Sequence, residues 1–153
     1  MGSSGRAAVV AFAGKPDATT TGTAPGAYAP YRALGYDCAG KGFDAEVQIV
    51  GRCRTVFFFE RRSGKLETFS ISSPQYSEGH GVRIGMKQAE AEQRLHERLS
   101  IGCTAALYFE SATGSLSIDF AGGVSHGTSI KGAHVDAFVL HGKLRDAGVF
   151  DCL

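Results

Sequence analysis

The chain lacks a charge excess of either sign, a long apolar run and any tryptophan. Sixteen basic residues stand against fifteen acidic ones, so the net charge of +1 creates no field that would recruit nucleic acid or anionic lipid. A run of about 18 apolar residues is also absent, which argues against a membrane-spanning helix. In contrast, 43% of the 153 residues are hydrophobic and 21 are glycine. These values predict one compact domain, or two small halves that share a sheet, with a sizeable core and a sheet-dominated fold.

The cysteines show no CxxC spacing and no histidine at zinc-finger distance, which argues against a zinc finger. They form an even set, which favours two disulfides in an exported, extracellular or cell-envelope protein. Four buried thiols in a cytosolic protein are the alternative. Three pairings exist, and we favour Cys38–Cys53, which flanks a candidate hairpin, together with Cys103–Cys152.

One segment of the chain occurs twice, fifty residues apart. Cys53-Arg-Thr-Val-Phe-Phe-Phe-Glu60-Arg-Arg-Ser-Gly64-Lys-Leu66 aligns without a gap on Cys103-Thr-Ala-Ala-Leu-Tyr-Phe-Glu110-Ser-Ala-Thr-Gly114-Ser-Leu116. A fixed period indicates one supersecondary unit used twice, here a β-hairpin that begins at a cysteine. We therefore expect two related helix-plus-hairpin units, residues 6–78 and 79–153, within one compact domain.

Local patterns place the helices and strands around these hairpins. A short helix is predicted over 6–13, and a second, with an apolar stripe, over 86–98. A polar loop is predicted over 17–30. The predicted strands are 31–37, 46–50, 54–60, 65–72, 104–110, 115–120 and 135–140. The expected fold class is α+β, an antiparallel sheet with two helices on one face and the other face open.

The first five residues, Met1-Gly-Ser-Ser-Gly5, are typical of a vector-derived leader and carry no fold information. A native precursor with a signal peptide or a lipid anchor is compatible with this start.

Two segments resemble small bacterial envelope domains. Gly81-Val-Arg-Ile-Gly-Met86 and the following Lys-Gln-Ala-Glu-Ala-Glu-Gln-Arg-Leu95 are similar to the helix opening of SmpA/OmlA-type outer-membrane-assembly lipoproteins and of tandem-repeat β-lactamase inhibitor proteins. Ala11-Phe-Ala-Gly14-Lys-Pro16, with Tyr31 and Tyr36 downstream, resembles the helix end and Tyr-containing strand of that group. The second copy departs from the pattern, with Leu99-Ser-Ile-Gly102-Cys in place of Gly-x-Pro. The resemblance implies an exported, non-enzymatic domain that binds another protein.

Strand parity supplies the candidate binding residues. Phe57 and Phe59 are expected to share a helix-covered face with Cys53, while Phe58 and its counterpart Tyr108 point to the open face. Phe69 joins Phe58 there, with Ile71, unless a bulge reverses its orientation. An exposed aromatic cluster of this kind is typical of a protein-binding surface. If the 17–30 loop or the tail covers it, the same residues belong to the core.

Arginines surround the first hairpin as well. Arg54 is the basic residue that we assign to the binding surface. With Arg52, Arg61 and Arg62 it forms a small basic patch, which serves either solubility or contact with an acidic partner.

Catalytic signals are weak by comparison. No Gly-x-Ser-x-Gly elbow is present, and Ser125-His126 lies in a glycine-rich loop. Glu60 and Glu110 recur in both copies as paired carboxylates, but each precedes a turn, where a solvated charge is expected.

The sequence signal for a metal site is similarly weak, because His134 and His141 are expected on opposite sides of one strand unless a bulge intervenes. No catalytic or metal-binding residue is assigned, and no cofactor is expected.

We therefore expect an exported, monomeric, non-enzymatic domain that recognises a protein partner through the open sheet face. Two alternatives stay open. One is a small secreted hydrolase with a site in the 121–134 loop at His126 or His134. The other is an envelope domain that holds an apolar ligand between its helices and sheet.

Overall fold

The computed structural model describes residues 5–22, 30–40, 49, 51–96, 100–101, 105–111, 114–121 and 132–141. Two α-helices and eight strands in antiparallel pairs lie within these ranges, and this confirms the predicted α+β class. The chain divides between Ile71 and Ser72 into two compact units.

The helix and strands named in the described part of the first unit are α1 and four strands in sequential order, β1-β2-β3-β4. Its elements are α1 (Arg6–Ala13), β1 (Ala18–Gly22), β2 (Tyr31–Cys38), β3 (Cys53–Glu60) and β4 (Leu66–Ile71).

The described part of the second unit likewise has a helix and four strands in sequential order, β5-β6-β7-β8. Its elements are α2 (Gln88–Leu95), β5 (Ser100–Ile101), β6 (Ala105–Ser111), β7 (Gly114–Ala121) and β8 (His134–His141). The predicted hairpins thus correspond to β3–β4 and β6–β7, while the relation of the two units as repeats stays a prediction.

The end of α1 follows from the residues after it. Gly14 has a φ of 83°, and its backbone N–H donates to the Val10 carbonyl at 2.9 Å. A glycine takes this conformation without steric cost, and Pro16 cannot continue the helix. The helix therefore stops where the sequence predicts.

We call strands β1–β4 the first sheet. The face of this sheet that α1 covers carries the aromatic core of the first unit. Val9 of α1 packs in one cluster with side chains of β2 and β3, and half-buried residues of β4 lie against the cluster. The buried members are Val9, Leu34, Tyr36, Phe57 and Phe59. Tyr36 meets Phe57 edge to face, with ring centroids 5.8 Å apart, a favoured aromatic geometry.

A disulfide joins Cys38 and Cys53 across β2 and β3, where the two residues are directly opposite. This confirms the pairing expected from the sequence. The disulfide packs with Ala33, Val56 and Ile49, so Cys53 is not part of the cluster that contains Phe57. Asp37 separates this end of β2 from the regular ladder, because its φ of 52° is left-handed. Cys103 and Cys152 lie outside the described residues.

The buried apolar side chains of the second unit come from α2, from the loops before α2 and β8, and from strands β7 and β8. Backbone bonds fix the loop to β8: Gly85 N–H donates to the Val135 carbonyl at 2.7 Å, and Val135 N–H donates to the Met86 carbonyl at 2.8 Å. The buried apolar side chains are Val82, Ala91, Leu95, Ile118, Phe120, Ala133, Val135 and Phe138.

Three expectations for secondary structure were wrong or incomplete. The predicted 17–30 loop contains β1, which forms because all five of its residues pair with β2. Of the strand predicted over 46–50, Ile49 alone is described, and it is helical. The helix predicted over 86–98 spans Gln88–Leu95, and His96 follows it with a left-handed φ of 54°.

Neither helix in the described part of the chain could cross a membrane. Each has eight residues, whereas a span needs about 20.

Candidate functional site

The face of the first sheet opposite α1 carries a transverse row of side chains, one from each strand. Thr20 pairs with Ala33, Ala33 with Phe58, and Phe58 with Thr68. Directly opposite residues in antiparallel strands point to the same face. In the neighbouring row, Ser70 pairs with Val56. We call the half-buried side chains of Thr20, Phe58, Thr68 and Ser70 the Phe58 surface.

Phe58 is the large apolar side chain of this surface. Its ring meets that of Tyr31 edge to face, with centroids 5.6 Å apart. Tyr31 is itself buried, and its hydroxyl lies over Gly22: a Cβ at Gly22 would fall 2.6 Å from it. The glycine therefore leaves room for the tyrosine, and the tyrosine holds one side of the Phe58 ring.

The expected open face is covered beside the disulfide. Ile49 is fully buried there, and Ala33 and Val56 are 0% and 2% exposed. Phe58 packs against this cluster and is only half-buried. The Phe58 surface is therefore a narrow amphipathic strip, with one phenyl ring and three hydroxyl side chains. It borders the buried cluster that contains Ala33, Ile49 and Val56.

Phe69 does not belong to this surface, which corrects the expectation from strand parity. The ladder shifts between Phe58, which pairs with Thr68, and Phe59, which pairs with Leu66. Glu67 is the extra residue of the bulge. Phe69 consequently lies opposite Phe57 on the α1 side, with ring centroids 5.9 Å apart.

The four arginines do not form one patch. Arg52 and Arg54 lie at the start of β3 and Arg61 and Arg62 after its end, so the eight-residue strand places the two pairs about 25 Å apart. Arg54 is 3.8 Å from the Asp37 carboxylate, and both side chains are exposed. Such a contact contributes about 0–1 kcal/mol and partly neutralises the charge next to the surface.

Tyr108 lies on β6 of the second unit, directly opposite Ser117 on β7. Ser117 is buried. The Tyr108 side chain lies outside the described residues, so nothing here joins it to Phe58.

Glu60 has a structural role in the first hairpin. Its carboxylate accepts a hydrogen bond from the Ser63 hydroxyl, and that hydroxyl accepts one from the Lys65 backbone N–H at 3.2 Å. The backbone pair Glu60–Lys65 closes the same turn. These bonds explain a glutamate at position 60 by its role in the turn. The Glu110 side chain lies outside the described residues.

The expected hydrolase loop is described only at its ends, and Ser125 and His126 lie outside the described residues. His134 is exposed at the start of β8 and His141 ends the same strand, about 23 Å away at the rise of an extended chain. Among the described residues, no group of three or more His, Cys, Asp or Glu side chains is placed to hold a metal.

Comparisons with protein-family models, curated proteins and solved structures found no match to this chain.

Sequence reasoning did not find Tyr31 and Thr20 as members or supports of this site. Thr20 was missed because a threonine-rich segment between prolines is typical of a loop. Tyr31 could have been found from parity, since it is two residues before Ala33 on the same strand.

Proposed function

We propose that this chain is an exported domain without enzymatic activity, which binds another protein through the Phe58 surface. The observation that carries the proposal is the half-buried Phe58 ring, held by Tyr31 and surrounded by hydroxyl side chains. A preorganised aromatic side chain loses little conformational freedom on binding, and aromatic anchors dominate protein interfaces.

The composition of the surface favours a protein partner. Thr20, Thr68 and Ser70 carry hydroxyl groups on the same face as one apolar anchor, and none of these side chains is charged. An interface of this kind has an apolar centre with a polar rim. The net charge of +1 gives no long-range attraction to a polyanion.

Export is supported by the disulfide. The Cys38–Cys53 bond indicates an oxidising environment, because cytosolic thiols are kept reduced. The resemblance of residues 81–95 to envelope domains supports placement outside the cytoplasm or in the cell envelope. Export and a location in the cell envelope both go beyond the oxidising environment that the disulfide alone indicates.

The experiment immobilises the wild-type chain, Phe58→Ser and Phe12→Ser, and exposes each to the extracellular fraction of the native source. Phe12 is a matched control, because it is a phenylalanine on α1 and 72% exposed. A protein retained by wild type and Phe12→Ser is purified and titrated against all three. We expect Phe58→Ser to weaken that binding about 30-fold, the effect of a 2 kcal/mol hot spot.

A second variant keeps the test decisive if Phe58→Ser unfolds. Thr68→Lys retains the apolar packing of Phe58 but places a long charged side chain beside its ring. We expect it to fold and to weaken the same complex. Binding that neither variant changes, in proteins with native circular dichroism, would refute the proposal.

A further inference from the structure

Strand β1 lies at the end of the strand order, with β2 on its inner side. The described residues that pair with it all belong to β2. An edge strand of this kind presents a row of backbone N–H and C=O groups that is suited to pair with another strand.

The edge of β1 lacks the devices that usually prevent such pairing. Natural edge strands are blunted by lysine, proline, bulges or very short length. Ala18-Thr-Thr-Thr-Gly22 contains no charge and no proline, and its ladder with β2 runs without a register shift. In contrast, β5, at the other end of the order, has two residues.

The sequence of β1 is close to symmetric about Thr20. If a second copy pairs antiparallel around a twofold axis at this residue, Thr19 lies opposite the partner's Thr21, and Thr20 lies opposite its own equivalent. Cross-strand threonine pairs stabilise a sheet, and a twofold arrangement closes on itself. The net charge of +1 per chain opposes this association only weakly.

We infer that two copies of this chain associate through β1, with their sheets continued across a twofold axis at Thr20. This replaces the expectation of a monomer and is independent of the Phe58 surface. Five paired residues bury less than the roughly 1,200 Å² at the lower end of stable interfaces. The association is therefore weak and depends on concentration.

The register of the pairing gives a sharp test, because Thr19 and Thr21 are both exposed. Thr19→Lys with Thr21→Lys places like charges opposite each other in both cross-strand pairs. Thr19→Lys with Thr21→Glu places opposite charges there. In a parallel pairing each position would face itself, so both variants would place like charges opposite each other and both would weaken the dimer.

The experiment is analytical ultracentrifugation of the full chain over a wide concentration range. We expect wild type to dimerise, the Lys/Lys variant to dimerise about tenfold more weakly, and the Lys/Glu variant to dimerise at least as tightly as wild type. Ala8→Lys with Ala11→Lys is the control, because it adds the same charge at exposed positions of α1 and should leave the dimer unchanged.

Circular dichroism of the dilute variants checks that each one is folded. A wild-type chain that stays monomeric at every concentration would overturn the inference. So would a dimer that the Lys/Lys variant leaves intact, because that dimer would use another surface.

Discussion

Phe69 packs against Phe57, with ring centroids 5.9 Å apart, and so lies on the opposite face of the first sheet from Phe58. The bulge at Glu67 is the cause, because one unpaired residue reverses the alternation of side chains along β4. The relationship separates the two phenylalanines by face: Phe69 packs with the cluster that contacts α1, and Phe58 lies on the face that we propose as a binding surface.

The disulfide is expected to contribute measurably to stability. Its cysteines are 15 residues apart in sequence, and closing a loop of that length restricts the unfolded chain by about 3 kcal/mol. Cys38→Ala with Cys53→Ala should lower the free energy of unfolding in urea by about that amount. A reducing agent should abolish the difference in stability between wild type and the double variant, whether or not Cys103 and Cys152 are paired. Equal stability of both proteins would show that the bond is energetically irrelevant.

Gly35 should be intolerant of any side chain. A Cβ at this position would lie 2.6 Å from Cys53 Sγ and 3.2 Å from Cys38 Sγ. Gly35→Ala must displace the disulfide or β2, so we expect a loss of about 1–3 kcal/mol, the usual cost of overpacking. Gly51→Ala is the control, since its Cβ would have no described atom within 4 Å. Thermal unfolding and a free-thiol assay measure both effects, and an unchanged Gly35→Ala protein would contradict the packing.

Thr55 carries a buried hydroxyl that has no hydrogen-bond partner among the described residues. A buried polar group without a partner costs about 1–3 kcal/mol. Thr55→Val keeps the shape and removes the hydroxyl, so we expect the free energy of unfolding to rise by about 1 kcal/mol. Thr55→Ser keeps the hydroxyl and loses the methyl group, and should instead lower stability. A destabilised Thr55→Val protein would reveal a partner for the hydroxyl.

The environment of Glu78 predicts that the stability of the second unit depends on pH. Its burial raises the pKa of the carboxyl, but bonds from the backbone N–H groups of Val82 and His80 and from the His80 ring outweigh that effect, so the pKa is lowered. The carboxylate accepts from the Val82 N–H at 2.9 Å and from His80 Nδ1 at 2.9 Å. Because the folded pKa lies below the unfolded one, the stabilisation is present above the ordinary carboxyl pKa of about 4.3 and is lost as pH falls through the folded value.

The corresponding measurement is the free energy of unfolding against pH for wild type and Glu78→Gln. We expect the variant to be less stable at neutral pH, and the difference to disappear in acid as wild-type Glu78 becomes protonated. His80→Ala retains the two backbone bonds and should show a smaller loss at neutral pH. A difference between wild type and Glu78→Gln that is independent of pH would show that the charge of Glu78 is not involved.

Elements marked by local chemistry were predictable from the sequence. The end of α1 follows from Gly14 and Pro16, and the Cys38–Cys53 pair from the strands on either side of it. The edge strand β1 was not predictable, because threonines between prolines have no local preference that reveals a strand; pairing with β2 decides it. The face of the sheet on which Phe69 lies depends on a bulge at Glu67, and no residue type in that segment indicates a bulge. The candidate site could therefore be predicted only in part. The orientation of Phe58 follows from the alternation of side chains along β3, whereas the contact with Tyr31 and the burial of the face near Ile49 depend on tertiary packing.

The bond between Cys38 and Cys53 also affects how the chain responds to proteolysis. It encloses residues 39–52 in a covalent ring, so hydrolysis of a single peptide bond in that segment cannot separate the two parts of the chain. β2 and β3 would stay linked side by side after such a cut. A nick in that segment would become a loss of connectivity only after the disulfide is reduced.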